Sequence, residues 1–227
     1  PDIVYLDHAN TIVAAILSRY QNQANVVYRV MGVYPFMRKS LTSNTLINRI
    51  FKWAYRSPFS LVICTQDGSG VEIWLKRALL NGVKTKVLLN GIDNISINGV
   101  LNSQLEALPK RKNIILYIGK LESYKGCYDL VHAILLLFKQ GIKDIHALII
   151  GAGNEEKALK DLIAKSNTLN NFTFIDRLPH EQIFEAHKLS DIYVSMNHLG
   201  NLSNSNLEAI QSNSCMVIPS QQIENGI

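Results

Sequence analysis

The sequence predicts an α/β fold made of two doubly wound parallel-sheet domains, both truncated. Three observations carry this. Short apolar runs recur along the whole chain, each followed by a stretch of helical periodicity. The alternation breaks once, around residues 90–112, and then resumes. Strand–helix–strand alternation calls for parallel strands joined by right-handed crossovers.

In the first half, residues 3–6, 26–30, 61–64 and 86–89 read as buried strands. Residues 10–20, 41–55 and 69–80 read as the helices between them. Asn81-Gly82 ends the third helix, with glycine where a positive φ is needed. Asn90-Gly91-Ile92-Asp93 then interrupts the pattern, and residues 97–112 read as a linker between a domain of residues 1–96 and one of residues 113–227. In the second half, residues 114–118, 146–150, 172–175, 191–195 and 216–218 read as strands. Residues 124–140 form a helix so apolar from Leu130 to Phe138 that deep burial is expected. Asn154 is placed to cap the next helix, with Glu155 and Glu156 at its positive end. Residues 181–187 and 203–211 complete the helices.

The chain has 227 residues, of which 47% are apolar, enough for a substantial core. No apolar run reaches the length of a membrane-spanning helix. Cys64, Cys127 and Cys215 lack metal-ligand spacing, and no secretory signal opens the chain, so a reducing cytoplasm is the expected compartment. The chain starts at Pro1 and stops at Ile227 without a closing element, which reads as a fragment of a longer protein.

The net charge of +5 is local. Arg38, Lys39, Arg49, Lys52 and Arg56 lie between Phe36 and Phe59 with no acid among them. The other 18 of the 23 Lys and Arg residues match the 18 acids. The segment reads as an amphipathic helix with a solvated basic face, or as a peripheral contact of residues 36–59 with an anionic membrane. Nucleic acid is not expected, because no base-stacking or groove-reading motif accompanies the charge.

One glycine turn imitates a dinucleotide site. His146-Ala147-Leu148-Ile149-Ile150-Gly151-Ala152-Gly153 is a strand entering such a turn, and Asp176 stands near the place of a ribose-binding acid. The third glycine of the fingerprint is replaced by Glu156, whose charge opposes a pyrophosphate. The turn also follows the second strand of its domain rather than the first. It reads as structural.

The chemistry sits elsewhere. Gly119 ends the first strand of the second domain, and Lys120 and Lys125 follow it at the sheet's carboxyl edge, where open α/β sheets bind ligands. Gly126 lets the backbone come close. A helix opening at residues 203–206 offers backbone N–H groups and a positive dipole end to an anion. Glu208 lies one turn inside it, placed to accept from two hydroxyls. Surface lysines and a first-turn acid would each be ordinary alone; together they suit the diphosphate and ribose of a nucleotide sugar.

These residues resemble the GT-B-fold retaining glycosyltransferases of family four, the glycosyl transferases group one, over nearly the whole chain. In that family the second Rossmann-like domain opens with Gly-Arg/Lys-Leu-x-x-x-Lys-Gly, as residues 119–126 do. The linker enters through Asn-Gly-Val/Ile-Asp, as residues 90–93 do. A later strand carries Gly-x-Gly, as residues 151–153 do, and then come a strand, a proline loop and a helix, as in residues 172–187. The donor motif Glu-Gly-Leu-Ser-Asn-x-x-Leu-Glu-Ala is met by Gly200-Asn201-Leu202-Ser203-Asn204-Ser205-Asn206-Leu207-Glu208-Ala209.

The resemblance implies that Gly119, Lys120 and Lys125 hold the donor's diphosphate. Leu202, Ser203, Asn204 and Ser205 would approach the phosphate and sugar, Glu208 would bind the ribose, and Arg177 and Leu178 would flank the base. It implies no metal and no cofactor beyond the nucleotide-sugar donor, a saccharide or lipid-linked acceptor, and retention at the anomeric carbon in polysaccharide or glycolipid synthesis. No catalytic residue is assigned. Two positions depart from the pattern: Gly200 replaces an acid that contacts the donor sugar, and Met31 replaces a histidine or acid of the first domain. His8 lines the sheet edge nearby, and His198 is a loop histidine that could replace a lost polar contact. These departures keep open a scaffold that binds donor without turnover, and a nucleotide-sugar epimerase.

Overall fold

The computed structural model describes residues 2–20, 25–92, 101–110, 112–200 and 202–220. Asp93, residues 97–100 of the expected linker, Asn201 and the last seven residues lie outside them. The described residues divide into two compact units, the first ending at Gly91 and the second running from Ile92 to Ser220.

Unit 1 contains β1 (Ile3–Asp7), α1 (Thr11–Tyr20), β2 (Asn25–Val30), α2 (Pro35–Thr42), α3 (Leu46–Tyr55), β3 (Leu61–Thr65), α4 (Val71–Ala78) and β4 (Thr85–Leu88). Its four strands are parallel in the order β1-β2-β3-β4. Every crossover therefore advances in one direction, and right-handedness puts all four helices on one face. Val26, Tyr28, Val30, Val62 and Cys64 point to that face and pack with Ala14, Met37, Tyr55 and Trp74 from the helices. Tyr55 and Trp74 meet edge to face with centroids 5.0 Å apart.

Residues 41–55, expected as one helix, belong to two. Pro35 starts α2 at a position where its missing N–H costs nothing. Ser43 and Thr45 are extended, so the chain breaks before α3. The cluster Thr42-Ser43-Asn44-Thr45 explains the break, since short polar side chains compete with helical hydrogen bonding.

Unit 2 contains α5 (Ser103–Glu106), β5 (Asn113–Ile118), α6 (Cys127–Lys139), β6 (Ile145–Ile150), α7 (Glu156–Lys165), β7 (Phe172–Ile175), α8 (His180–Leu189), β8 (Ile192–Val194), α9 (Asn204–Gln211) and β9 (Met216–Val217). Its strands are parallel in the order β7-β6-β5-β8-β9. The order reverses between β5 and β8, so helices cover both faces. Tyr117, Ala147 and Ile149 pack under α6 and α7, while Leu116, Leu148 and Ile150 pack under α8 and α9. Interior strand β6 is buried at every residue, as a parallel strand covered twice should be. Each fully buried Leu or Ile of these strands contributes about 1.5–3 kcal/mol.

Three local expectations change. The stretch read as linker contains α5, whose Leu105 is buried in the core of unit 2. Helix α6 is buried along one stripe only, Cys127, Leu130, Val131 and Ile134, and Leu136 is 55% exposed. A helix packed on one side of a sheet needs no more than such a stripe. Asn154 does not cap α7; its amide donates to Glu122 Oε1 at 3.1 Å, tying the loop after β6 to the loop after β5.

His187 of α8 lies buried beside Tyr193, with Nδ1 3.0 Å from Ser214 Oγ, and burial lowers its pKa to about 4. The folded state thus keeps His187 neutral where the unfolded chain takes up a proton below about pH 6.5. This contribution to stability is complete above pH 6.5 and is lost as pH falls towards 4. It should amount to roughly 2 kcal/mol between pH 7 and pH 5. Urea unfolding of unit 2 at the two pH values measures it, and His187→Gln should flatten the difference by that amount. An unchanged slope in the variant would exclude His187 as the source.

Candidate functional site

In an open parallel sheet, loops diverge to opposite faces where the strand order reverses, and the crevice between them faces ligand. In unit 2 that place lies between the carboxyl ends of β5 and β8. The two loops there are the ones that carry the lysines and the Ser203–Glu208 motif.

The loop after β5 is fixed by backbone. Gly119 N–H donates to Ile150 O at 3.0 Å and Leu121 N–H to Ala152 O at 3.0 Å, prolonging the β5–β6 ladder past the strand ends. Gly151 has φ +142°, and a Cβ there would stand closer than 3.0 Å to Gly119 O. The Gly-x-Gly turn is thus the bed on which the lysine loop lies, which is its structural role.

Residues 123–125 make one 3-10 turn, and Gly126 follows with φ +72° at the head of α6. A Cβ on Gly126 would collide with the backbone of Met196 in the loop after β8. His198 N–H donates to Tyr124 O at 3.0 Å across the same seam. From below, the buried Tyr117 hydroxyl lies 3.0 Å from Lys120 O and 3.4 Å from Lys125 O. Burial pushes its pKa up, so it remains a neutral donor.

Helix α9 is set by a second buried tyrosine. Tyr193 of β8 donates to Asn206 Oδ1 at 2.9 Å, both residues being fully buried. Ser203 caps the helix by accepting from Asn206 N–H, which uses one of the N–H groups expected to face an anion. Glu208, one turn in, has Oε1 2.8 Å from His180 Nε2 at the start of α8, with side chains 12% and 43% exposed. No spacing in the sequence points to His180; its partner lies 28 positions away, and only the adjacency of α8 and α9 brings them together.

The predicted residues divide accordingly. Lys120 is exposed, and Lys125 is half-buried with Nζ 5.4 Å from the Tyr124 ring centroid. Leu202, Ser203 and Ser205 are half-buried and Asn204 is exposed, so all remain reachable. Arg177 is exposed, but the Leu178 side chain is buried with Ile175 and Ile183. Gly200 O accepts from Asn197 Nδ2 at 2.8 Å, closing a turn. His198 Nε2 lies 2.8 Å from Asp129 Oδ2, which ties the loop after β8 to the first turn of α6.

In unit 1, Met31 is half-exposed after β2, and the His8 ring lies 5.4 Å from that of Tyr34 at the end of β1. Two concavities there, of about 410 and 300 Å³, are lined by α4 and β4 residues and by Leu41, Thr42, Lys52, Arg56 and Arg77. Neither contains a residue of the lysine loop or of α9.

The glycine seam has a measurable consequence. Gly151→Ala combines a left-handed backbone with a backbone collision and should cost unit 2 about 2–4 kcal/mol in urea unfolding. Gly119→Ala meets only the Tyr117 hydroxyl at 3.3 Å and should cost less than about 1 kcal/mol. Equal costs would refute the seam as the determinant of the lysine loop.

The family model for glycosyl transferases group 1 matches residues 102–222, more than half of the chain. An uncharacterized glycosyltransferase of Methanocaldococcus jannaschii is 27% identical over 148 residues, covering 59% of this chain and 37% of that protein. Sucrose-phosphate synthase from Thermosynechococcus elongatus superposes with a TM-score of 0.71 at 16% identity, over 96% of this chain and 55% of that one. Anabaena HepE in complex with UDP-glucose gives 0.70 at 19% identity, over 96% and 59%. The chain thus spans little more than half of these two structures and about a third of the archaeal relative. Their likeness establishes the two-sheet GT-B fold, and by the match of the family model the chain belongs to the glycosyl transferases group 1.

Proposed function

We propose that the protein transfers a sugar from a nucleotide-diphosphate donor to a saccharide or lipid-linked acceptor, with retention, in polysaccharide or glycolipid synthesis. The observation that carries this is the seam itself. The loop bearing Lys120 and Lys125 abuts the loop leading to α9 and Glu208, through Gly126–Met196 and Tyr124–His198. Two ammonium groups beside helix N-termini suit a pyrophosphate. A carboxylate already oriented by His180 suits a ribose diol. The solved relative that holds UDP-glucose supports a nucleotide-sugar donor.

In this reading the lysines neutralise the negative charge that develops on the leaving diphosphate, without a metal, and the donor is the only small molecule the site takes up besides the acceptor. Arg177 and the Leu178 backbone flank the base. The enzyme works in the cytoplasm, and among the described residues no helix is long and apolar enough to cross a membrane. Each lysine–phosphate contact contributes about 1.5–3 kcal/mol. Lys125→Ala in the complete protein should lower kcat/KM by roughly 10- to 150-fold. Unchanged efficiency would remove this lysine from the site. His180→Ala should raise the donor KM several-fold with a smaller effect on kcat, and His180→Gln should restore part of the loss. A pure kcat effect would assign His180 a different role.

Gly200 and Met31 favour a second reading, a scaffold that binds donor without turnover. Steady release of nucleoside diphosphate from donor by the complete protein would exclude it. Tight donor binding without release would support it.

A further inference from the structure

The outer face of α3 is unlike that of a helix solvated on its free side. Leu46, Ile50 and Trp53 recur at helical spacing on one stripe and are 74%, 43% and 39% exposed. The opposite side, Asn48, Ala54 and Tyr55, is buried, and α1 and α2 pack against α3. The apolar stripe is therefore the side that the unit leaves outward.

Beside it runs a second row. Arg49, Lys52 and Arg56 follow at spacings of three and four. Lys52 and Arg56 join Arg77, Leu41 and Thr42 around the concavity of about 300 Å³. The Arg19 guanidinium sits 4.8 Å from the Trp53 ring centroid and donates to the Trp53 and Arg56 carbonyls, fixing the end of α3 and the indole with it. No acid occurs between Phe36 and Phe59.

A bare apolar stripe would suit a protein partner, and a bare basic row would suit nucleic acid. The two rows side by side on one helix, with an indole in the apolar row, match the layering of a bilayer interface. We propose that the outer face of α3 seats on an anionic phospholipid surface. Leu46, Ile50 and Trp53 enter the boundary between headgroups and acyl chains, and Arg49, Lys52 and Arg56 meet the phosphates. The Lys52–Arg56–Arg77 concavity receives one lipid phosphate. This docking surface is independent of the donor site.

The test is co-sedimentation of the complete protein with vesicles of phosphatidylglycerol and phosphatidylcholine in equal parts, against phosphatidylcholine alone. Binding should favour the anionic vesicles, weaken with salt and shift Trp53 emission to the blue, a shift missing from Trp53→Phe. Each cation removed among Arg49→Gln, Lys52→Gln and Arg56→Gln should weaken binding about fivefold. Leu46→Gln with Ile50→Gln should weaken it at least about tenfold. Circular dichroism and donor affinity in solution should not change in these variants, which separates failure of this proposal from failure of the transferase reading. Equal binding to neutral vesicles, insensitivity to the substitutions, tighter binding to RNA than to vesicles, or binding of free glycerol phosphate as strong as that of vesicles would each overturn it.

Discussion

The candidate site depends on how closely three loops approach one another at the carboxyl edge of the second sheet. The loop after β5 lies on the Gly151 turn below it and against Met196 beside it, at distances that leave no room for a side chain at residue 126 or 151. A methyl group at either position would lift the lysine loop from its bed or part it from the loop after β8. Glycine is needed there for backbone contact, and the turn that imitates a dinucleotide fingerprint follows from the same need.

The seam is rigid because its anchors are buried. Strands β5 and β6 are covered on both faces, and Tyr117 and Tyr193 carry hydroxyls out of the core to polar atoms of the loop and of α9. Each tyrosine joins apolar packing to one directed hydrogen bond, so order in the sheet becomes order at its edge. The charged groups differ in exposure: Lys120 is exposed, while the Glu208 carboxylate, 12% exposed, is fixed through His180. Charges kept near water avoid the desolvation cost of a buried ion and remain available to a charged ligand.

Much of this was legible in the sequence, for a physical reason. Central parallel strands are continuous apolar runs, so residues 114–118 and 146–150 stood out, and helix α9 announced itself by Ser203 and the apolar spacing after it. Less visible was whatever depended on a distant partner. Tyr117 and His180 act across the fold, and no periodicity marks a residue by the loop it will support. The break between α2 and α3 rested on four short polar residues that apolar spacing overrode. Asn154 has the residue type of a cap, yet Glu122 took its amide. Leu130 to Phe138 suggested full burial because composition does not tell how many sides of a helix find a neighbour.

In the proposed function, Lys120, Lys125 and Glu208 grip one nucleotide sugar. A crystal structure of the complete protein with a nucleoside diphosphate tests it most directly. Both lysine Nζ atoms should lie within about 3 Å of diphosphate oxygens, with a ribose hydroxyl on the Glu208 carboxylate. A nucleotide bound elsewhere, with the lysine loop facing solvent, would contradict it.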